Sequence, residues 1–168
     1  MISFKALCGS CKHQACCTNS SVPLVFKGEF DSLMSIGKSG DEYIQERLIN
    51  NKKIKAIRKK ENSDICVFWD ERGKKCTIYE NRPFDCRAYP FDILLIDSKY
   101  HWIVYSCNPD SDWKWSENYL QELETYIEEN KIVKDIETFA KNTELILPGE
   151  SQKTPFTVLR QVRCQGLK

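Results

Sequence analysis

The apolar positions of this chain change rhythm from one end to the other. From Phe4 to Ser21 they follow neither helix nor strand spacing, so that segment reads as a loop. Val22-Pro23-Leu24-Val25-Phe26 predicts a short strand, with Pro23 near its start or on an edge. Glu29 to Ile36 predicts a short helix closed by Gly37. Asp41 then caps a second helix, whose face carries Tyr43, Ile44, Leu48 and Ile49. Between Lys52 and Lys60, Ile54 and Ala56 alternate with charges, as in an edge strand blunted by lysines. Ile65 to Trp69 and Lys75 to Tyr79 predict a hairpin around Asp70-Glu71-Arg72-Gly73.

Pro83 suits the first turn of a short helix carrying Phe84 to Tyr89, and Pro90 stops it. Phe91 to Ile96 and Trp102 to Ser106 predict a strand pair around Asp97-Ser98-Lys99-Tyr100. Tyr119, Leu120, Leu123, Tyr126 and Ile127 then recur at helical spacing between Ser116 and Asn130, with Ser116 as the cap. Val133, Ile136, Phe139 and Ala140 do the same between Ile132 and Leu145. Pro148-Gly149 ends that region, and Phe156 to Val162 predicts a last strand. The expected fold class is α+β: a small antiparallel sheet with cysteine-rich metal-binding loops and a C-terminal helical layer. One domain is expected over residues 1–168, with a cysteine core at 8–110, helices at 111–147 and a tail with the last strand at 148–168.

Composition sets outer bounds. A chain of 168 residues buries about 70% of its unfolded surface, so it needs no metal merely to have a core. A hydrophobic share of 41% and a charged share of 29% are ordinary for a globular protein. The net charge of +1 argues for neither a nucleic acid nor an acidic partner, and the basic run from Lys52 to Lys60 reads as a solvated edge. No apolar run approaches the roughly 20 residues of a membrane span, and the N-terminus lacks the apolar core of a secretory signal. The expectation is a cytoplasmic protein with no membrane and no nucleic-acid partner. Its oligomeric state is not legible.

The nine cysteines change the picture most. In a reducing compartment structural disulfides are rare, and an odd count suits a fully paired framework poorly, so ligation is favoured over pairing. Cys8-x2-Cys11 lets two sulfurs reach one ion, but the second Cys-x2-Cys of a zinc ribbon does not follow. Cys66, Cys76, Cys86 and Cys107 arrive singly, at the ends of separate elements, which suits a polymetal centre or a site closed by the fold itself. The candidate ligands are therefore Cys8, Cys11, Cys16, Cys17, Cys66, Cys76, Cys86 and Cys107. Cys164 reads as a non-ligand thiol, His13 as a solvated loop histidine and His101 as structural. Arg82 and Arg87 flank Cys86, where positive charge stabilises thiolates, although both also read as surface arginines. Gly9 and Gly73 would let backbone amides approach sulfur. Phe84, Tyr89, Phe91 and Trp69 read as solvent-excluding groups or as ordinary core.

Taken together, Cys8-x2-Cys11 with Cys16-Cys17, Cys66-Val-Phe and Cys76-Thr-Ile-Tyr-x2-Arg82-Pro83-x2-Cys86-Arg87-x-Tyr89-Pro90 resemble the YkgJ-type cysteine-cluster family. The resemblance covers about residues 8 to 110, and Cys76 to Pro90 is its specific part. It implies a zinc- or iron-chelating domain of the CxxCxxCC type. One departure stands out: four residues separate Cys11 from Cys16 where the family usually has two, so the loop at Cys16 and Cys17 differs. The resemblance also extends to flagellin lysine N-methylases, longer proteins in which the cysteine domain is associated with an iron–sulfur cluster and S-adenosylmethionine.

Three functions follow, in this order. The first is a protein that binds zinc or an iron–sulfur cluster through thiolates, with the surplus of cysteines tilting toward [4Fe–4S]. The second is a cluster-dependent lysine N-methyltransferase with a protein substrate. No glycine-rich dinucleotide-type loop supports its cosubstrate, and Asp92, Asp97, Asp110 and Asp112 are acidic residues of the ordinary solvated kind. The third is a thiol redox or metal-delivery protein, which would need exposed, acidic thiols.

Overall fold

A computed structural model describes residues 15–18, 22–36, 40–49, 51–105, 113–140 and 156–167. The chain forms two compact units, Met1–Arg87 and Ala88–Lys168. Small antiparallel sheets with a few helices make it α+β, as the sequence indicates. Cys8, Cys11, Cys107, His13, Gly9, Asp110 and Asp112 lie outside the described residues.

The first described element of the first unit is a helical turn, α1 (Ala15–Thr18), inside the segment expected to be loop. Its sheet has the order β1-β3-β2, with β1 at Leu24–Val25, β2 at Ile44–Ile49 and β3 at Lys52–Ile57. Helix α2 (Phe30–Met34) falls where the sequence puts it. The second predicted helix is a correction. Helix α3 (Gly40–Tyr43) lasts a single turn and the chain then becomes β2. Strand pairing explains this, because Ile49 lies opposite Lys52 and Asn51 takes φ 59°. Leu48, assigned to a buried helical face, is 67% exposed on the strand.

The alternation in β3 was read correctly, since Ile54 and Ala56 are buried while Lys52 and Lys53 are exposed. Its place was not: β3 is the central strand, paired on both sides. Lys55 is kept there by lying 3.0 Å from the centroid of the Phe30 ring. The hairpin near Gly73 shrinks to two-residue arms, β4 (Trp69–Asp70) and β5 (Lys75–Cys76), with turns on either side. Helix α4 (Phe84–Ala88) follows Pro83 as expected.

In the second unit β6 (Phe91–Ile96), β7 (Lys99–Tyr105) and β8 (Phe156–Gln161) form one antiparallel sheet in that order. Asp97 and Ser98 join β6 to β7 with φ of 48° and 63°, the double positive φ of a type I′ hairpin turn. Helices α5 (Glu117–Glu129) and α6 (Val133–Ala140) bury Leu120, Leu123, Ile127 and Ile136. Ser116 takes the N-cap position, but its side chain makes no cap hydrogen bond. It already has helical backbone, and its hydroxyl donates to the Trp113 carbonyl at 2.6 Å. Trp102 is fully buried in β7 and donates from Nε1 to Glu124 Oε1 at 2.9 Å. Arg160 reaches the same carboxylate from β8 at 2.7 and 3.1 Å, and the Arg163 amide adds a bond of 2.8 Å.

Candidate metal centre

Four of the eight expected ligands are visible as side chains, and all four belong to the first unit. Cys17 is on α1, Cys66 in the loop after β3, Cys76 on β5 and Cys86 on α4. Although spread over 70 positions of sequence, they meet at one apolar cluster. Cys66 is part of that cluster with Val25, Leu33, Ile57, Phe68, Trp69 and Ile78, and the other three thiols pack against it. Among the described residues no three ligand side chains stand close enough to chelate one ion.

Backbone bonds explain the convergence. The Cys66 amide donates to the Cys17 carbonyl at 2.8 Å, joining α1 to the middle loop. Cys66 also pairs with Lys59 across an isolated antiparallel bridge. Cys76 lies opposite Trp69, whose amide donates to the Cys66 carbonyl at 2.9 Å.

The stretch from Cys76 to Arg87 works as a scaffold for Cys86. Thr77 donates to the Phe68 carbonyl with its amide at 2.9 Å and its hydroxyl at 3.1 Å, fastening the turn to the cluster. Ile78 is in the core. The Arg82 guanidinium lies 3.7 Å from the Tyr79 ring centroid, and its Nε donates to the Tyr79 carbonyl at 2.8 Å. Arg87 donates to the Arg82 carbonyl at 2.6 Å and also to the Glu80 carbonyl. The arginines expected to face sulfur thus brace the turn that carries Cys86.

Glu29 is a positioning residue that the sequence reading missed. It is 1% exposed, and its two oxygens accept from the Phe84 amide at 2.5 Å and the Phe26 amide at 3.1 Å. Asp85 returns the contact by accepting from the Leu24 amide at 2.8 Å. A carboxylate beneath the first turn of α4 satisfies donors that a helix start leaves open. Its only signal in the sequence is an acidic residue at the start of a predicted helix, which also describes many surface helices.

The other expectations sort by burial. A Cβ at Gly73 would meet Asp70 Oδ2 at 2.5 Å, so that glycine makes room for a carboxylate. Phe84 packs on Phe26 with centroids 6.1 Å apart, and Phe91 packs on Trp113, Trp115 and Tyr119. His101 Nδ1 lies 3.0 Å from the Lys99 carbonyl. Asp92 accepts from the Tyr105 hydroxyl at 2.7 Å, and burial pushes its carboxyl above the usual range. Asp97 belongs to the I′ turn. Cys164 is buried, and its thiol donates to the Glu124 carbonyl at 3.7 Å. Burial first, then the charges of Glu124 and Glu128, push that thiol up to about 12, which disfavours the thiolate a metal needs.

The described residues form an α+β protein whose four visible ligand candidates gather on one apolar cluster. Residues 7–108 match the CxxCxxCC family, described as "Putative zinc- or iron-chelating domain", and the chain belongs to that family. No curated protein and no solved structure matches it. No helix among the described residues is long and apolar enough to cross a membrane.

Proposed function

We propose that the chain binds metal through cysteine thiolates, with Cys17, Cys66, Cys76 and Cys86 in the ligand pool together with Cys8, Cys11 and Cys16. The supporting observation is that four thiols from four separate elements pack on one core cluster. Soft sulfur donors suit zinc and iron–sulfur centres alike. More thiols are available than the four a zinc ion takes, which favours a [4Fe–4S] cluster. When bound, such a centre would crosslink α1, the middle loop, β5 and α4. The chain's own part is to hold the sulfurs on a braced turn and to keep one side of the site apolar, since Phe68 and Trp69 are buried beside Cys66.

Anaerobic purification with elemental analysis tests this reading. The expected sample is brown and contains iron with acid-labile sulfide. A colourless sample with stoichiometric zinc would move the reading to zinc. A sample with neither metal, and no uptake of either, would overturn it.

A further inference from the structure

We infer that Lys59 places a positive charge beside the candidate ligands Cys66 and Cys17 and so strengthens metal binding there; this deepens, and rests on, the thiolate-ligand reading above. Directly opposed residues of an antiparallel bridge place their side chains on one face, with Cβ atoms about 5 Å apart. Lys59 and Cys66 are such a pair. The bridge is fixed on both sides, because the Lys60 amide donates to the Ile65 carbonyl at 2.8 Å and the Val67 amide to the Arg58 carbonyl at 3.2 Å. Cys17 is tied to the same spot by its carbonyl bond to the Cys66 amide.

Lys59 is half-buried. Thiolates around a divalent ion leave a net negative charge, and a nearby cation offsets it. Arg82 and Arg87 direct hydrogen bonds to the carbonyls of Tyr79, Glu80 and Arg82.

The test measures zinc affinity of the full chain by competition with a chromophoric chelator, at low salt, for wild type, Lys59→Met and Lys59→Arg. The Met variant is expected to bind about tenfold more weakly and the Arg variant within about twofold of wild type. The gap should narrow in about 1 M salt, where the screening length falls to about 3 Å. Equal affinity of the Met variant, or equal losses for Met and Arg, would overturn the inference, because packing alone distinguishes neither by charge. If the Met variant fails to fold, Lys59→Gln takes its place with the same expected loss. A wild type that takes up neither zinc nor iron instead removes the thiolate-ligand reading itself.

Discussion

The two units reach stability by different means. The second has a three-stranded sheet with strands of six and seven residues and a fully buried tryptophan at its centre. Its polar groups close on each other, with Trp102, Arg160 and the Arg163 amide all donating to Glu124. Beside the six-residue pair β2–β3, the described residues of the first unit form three strands of only two residues, and Glu29 and the arginine-braced turn fasten its short pieces through single hydrogen bonds. Apolar burial scales with continuous elements, whereas a chain of short turns needs point fastenings. The family match ends at residue 108, yet β8 and α5 complete the sheet and the ion network of the second unit. Beyond the match, β8 pairs with β7 and Glu124 of α5 accepts from Trp102 of β7.

The largest effect that would sharpen this contrast comes from Trp102→Ala. Emptying a fully buried tryptophan site costs about 4 to 5 kcal/mol, and the loss should be the same with or without metal. Denaturant melts of the loaded and stripped protein measure it. A loss that depends on metal would break the division of labour. Next in size is removal of metal by a chelator. A centre present at about a thousand times its dissociation constant contributes about 4 kcal/mol. Amide exchange should accelerate in β3 and around Cys66 while β7 stays protected, and Cys86→Ala should reproduce that pattern. Equal acceleration in both units would break the comparison.

Glu29→Gln has a smaller expected effect. The amide nitrogen can no longer accept from Phe84 or Phe26, leaving a buried donor unmatched at about 1 to 3 kcal/mol. The change should also weaken metal binding through Cys86, read by the same chelator competition, whereas Lys53→Ala on an exposed pair with Glu46 should alter neither.

These regions also differed in how legible they were. In the second unit, strand and helix periods run long enough to identify themselves, and Asp97-Ser98 marks the turn between β6 and β7. In the first, Tyr43, Ile44, Leu48 and Ile49 suited a helical face, and Asn50-Asn51 was the overlooked sign of a hairpin. A two-sided strand looked like an edge because its lysines are flexible enough to leave the sheet, as Lys55 does over Phe30. Cysteine identity announced the kind of chemistry, but spacing cannot show which charge faces which sulfur. Lys59 lies in a basic run that reads as solvent-facing, while the fold pairs it with Cys66. Glu29 and Phe84 are 55 positions apart, beyond the reach of any local pattern.

The last prediction concerns pH, and it sets Cys164 of the second unit apart from the cysteines of the first. Cys164 has its thiol pushed up to about 12 in the folded state, whereas an unfolded cysteine ionises near about 8.5. Above the lower value the unfolded chain loses a proton that the folded chain keeps. Stability contributed by burying the neutral thiol is therefore complete below about pH 8 and is lost progressively as the pH climbs toward the folded value. Other groups titrate in that range, so the informative quantity is the difference between wild type and Cys164→Ala. The variant gives up packing at every pH, but its alkaline decline should be shallower, and the two stability curves should converge between about pH 8.5 and 11. Glu124 gives the acid counterpart. Burial raises its carboxyl, but bonds from Arg160, Arg163 and Trp102 and the charge of Arg160 outweigh this and hold it below the usual range. Its contribution is present above about pH 4.3, the unfolded value, and is lost as the pH falls through the folded one. Parallel curves for wild type and Cys164→Ala at alkaline pH would mean that the buried thiol is as acidic as an exposed one, and that the second unit is less closed around Glu124 than its hydrogen bonds indicate.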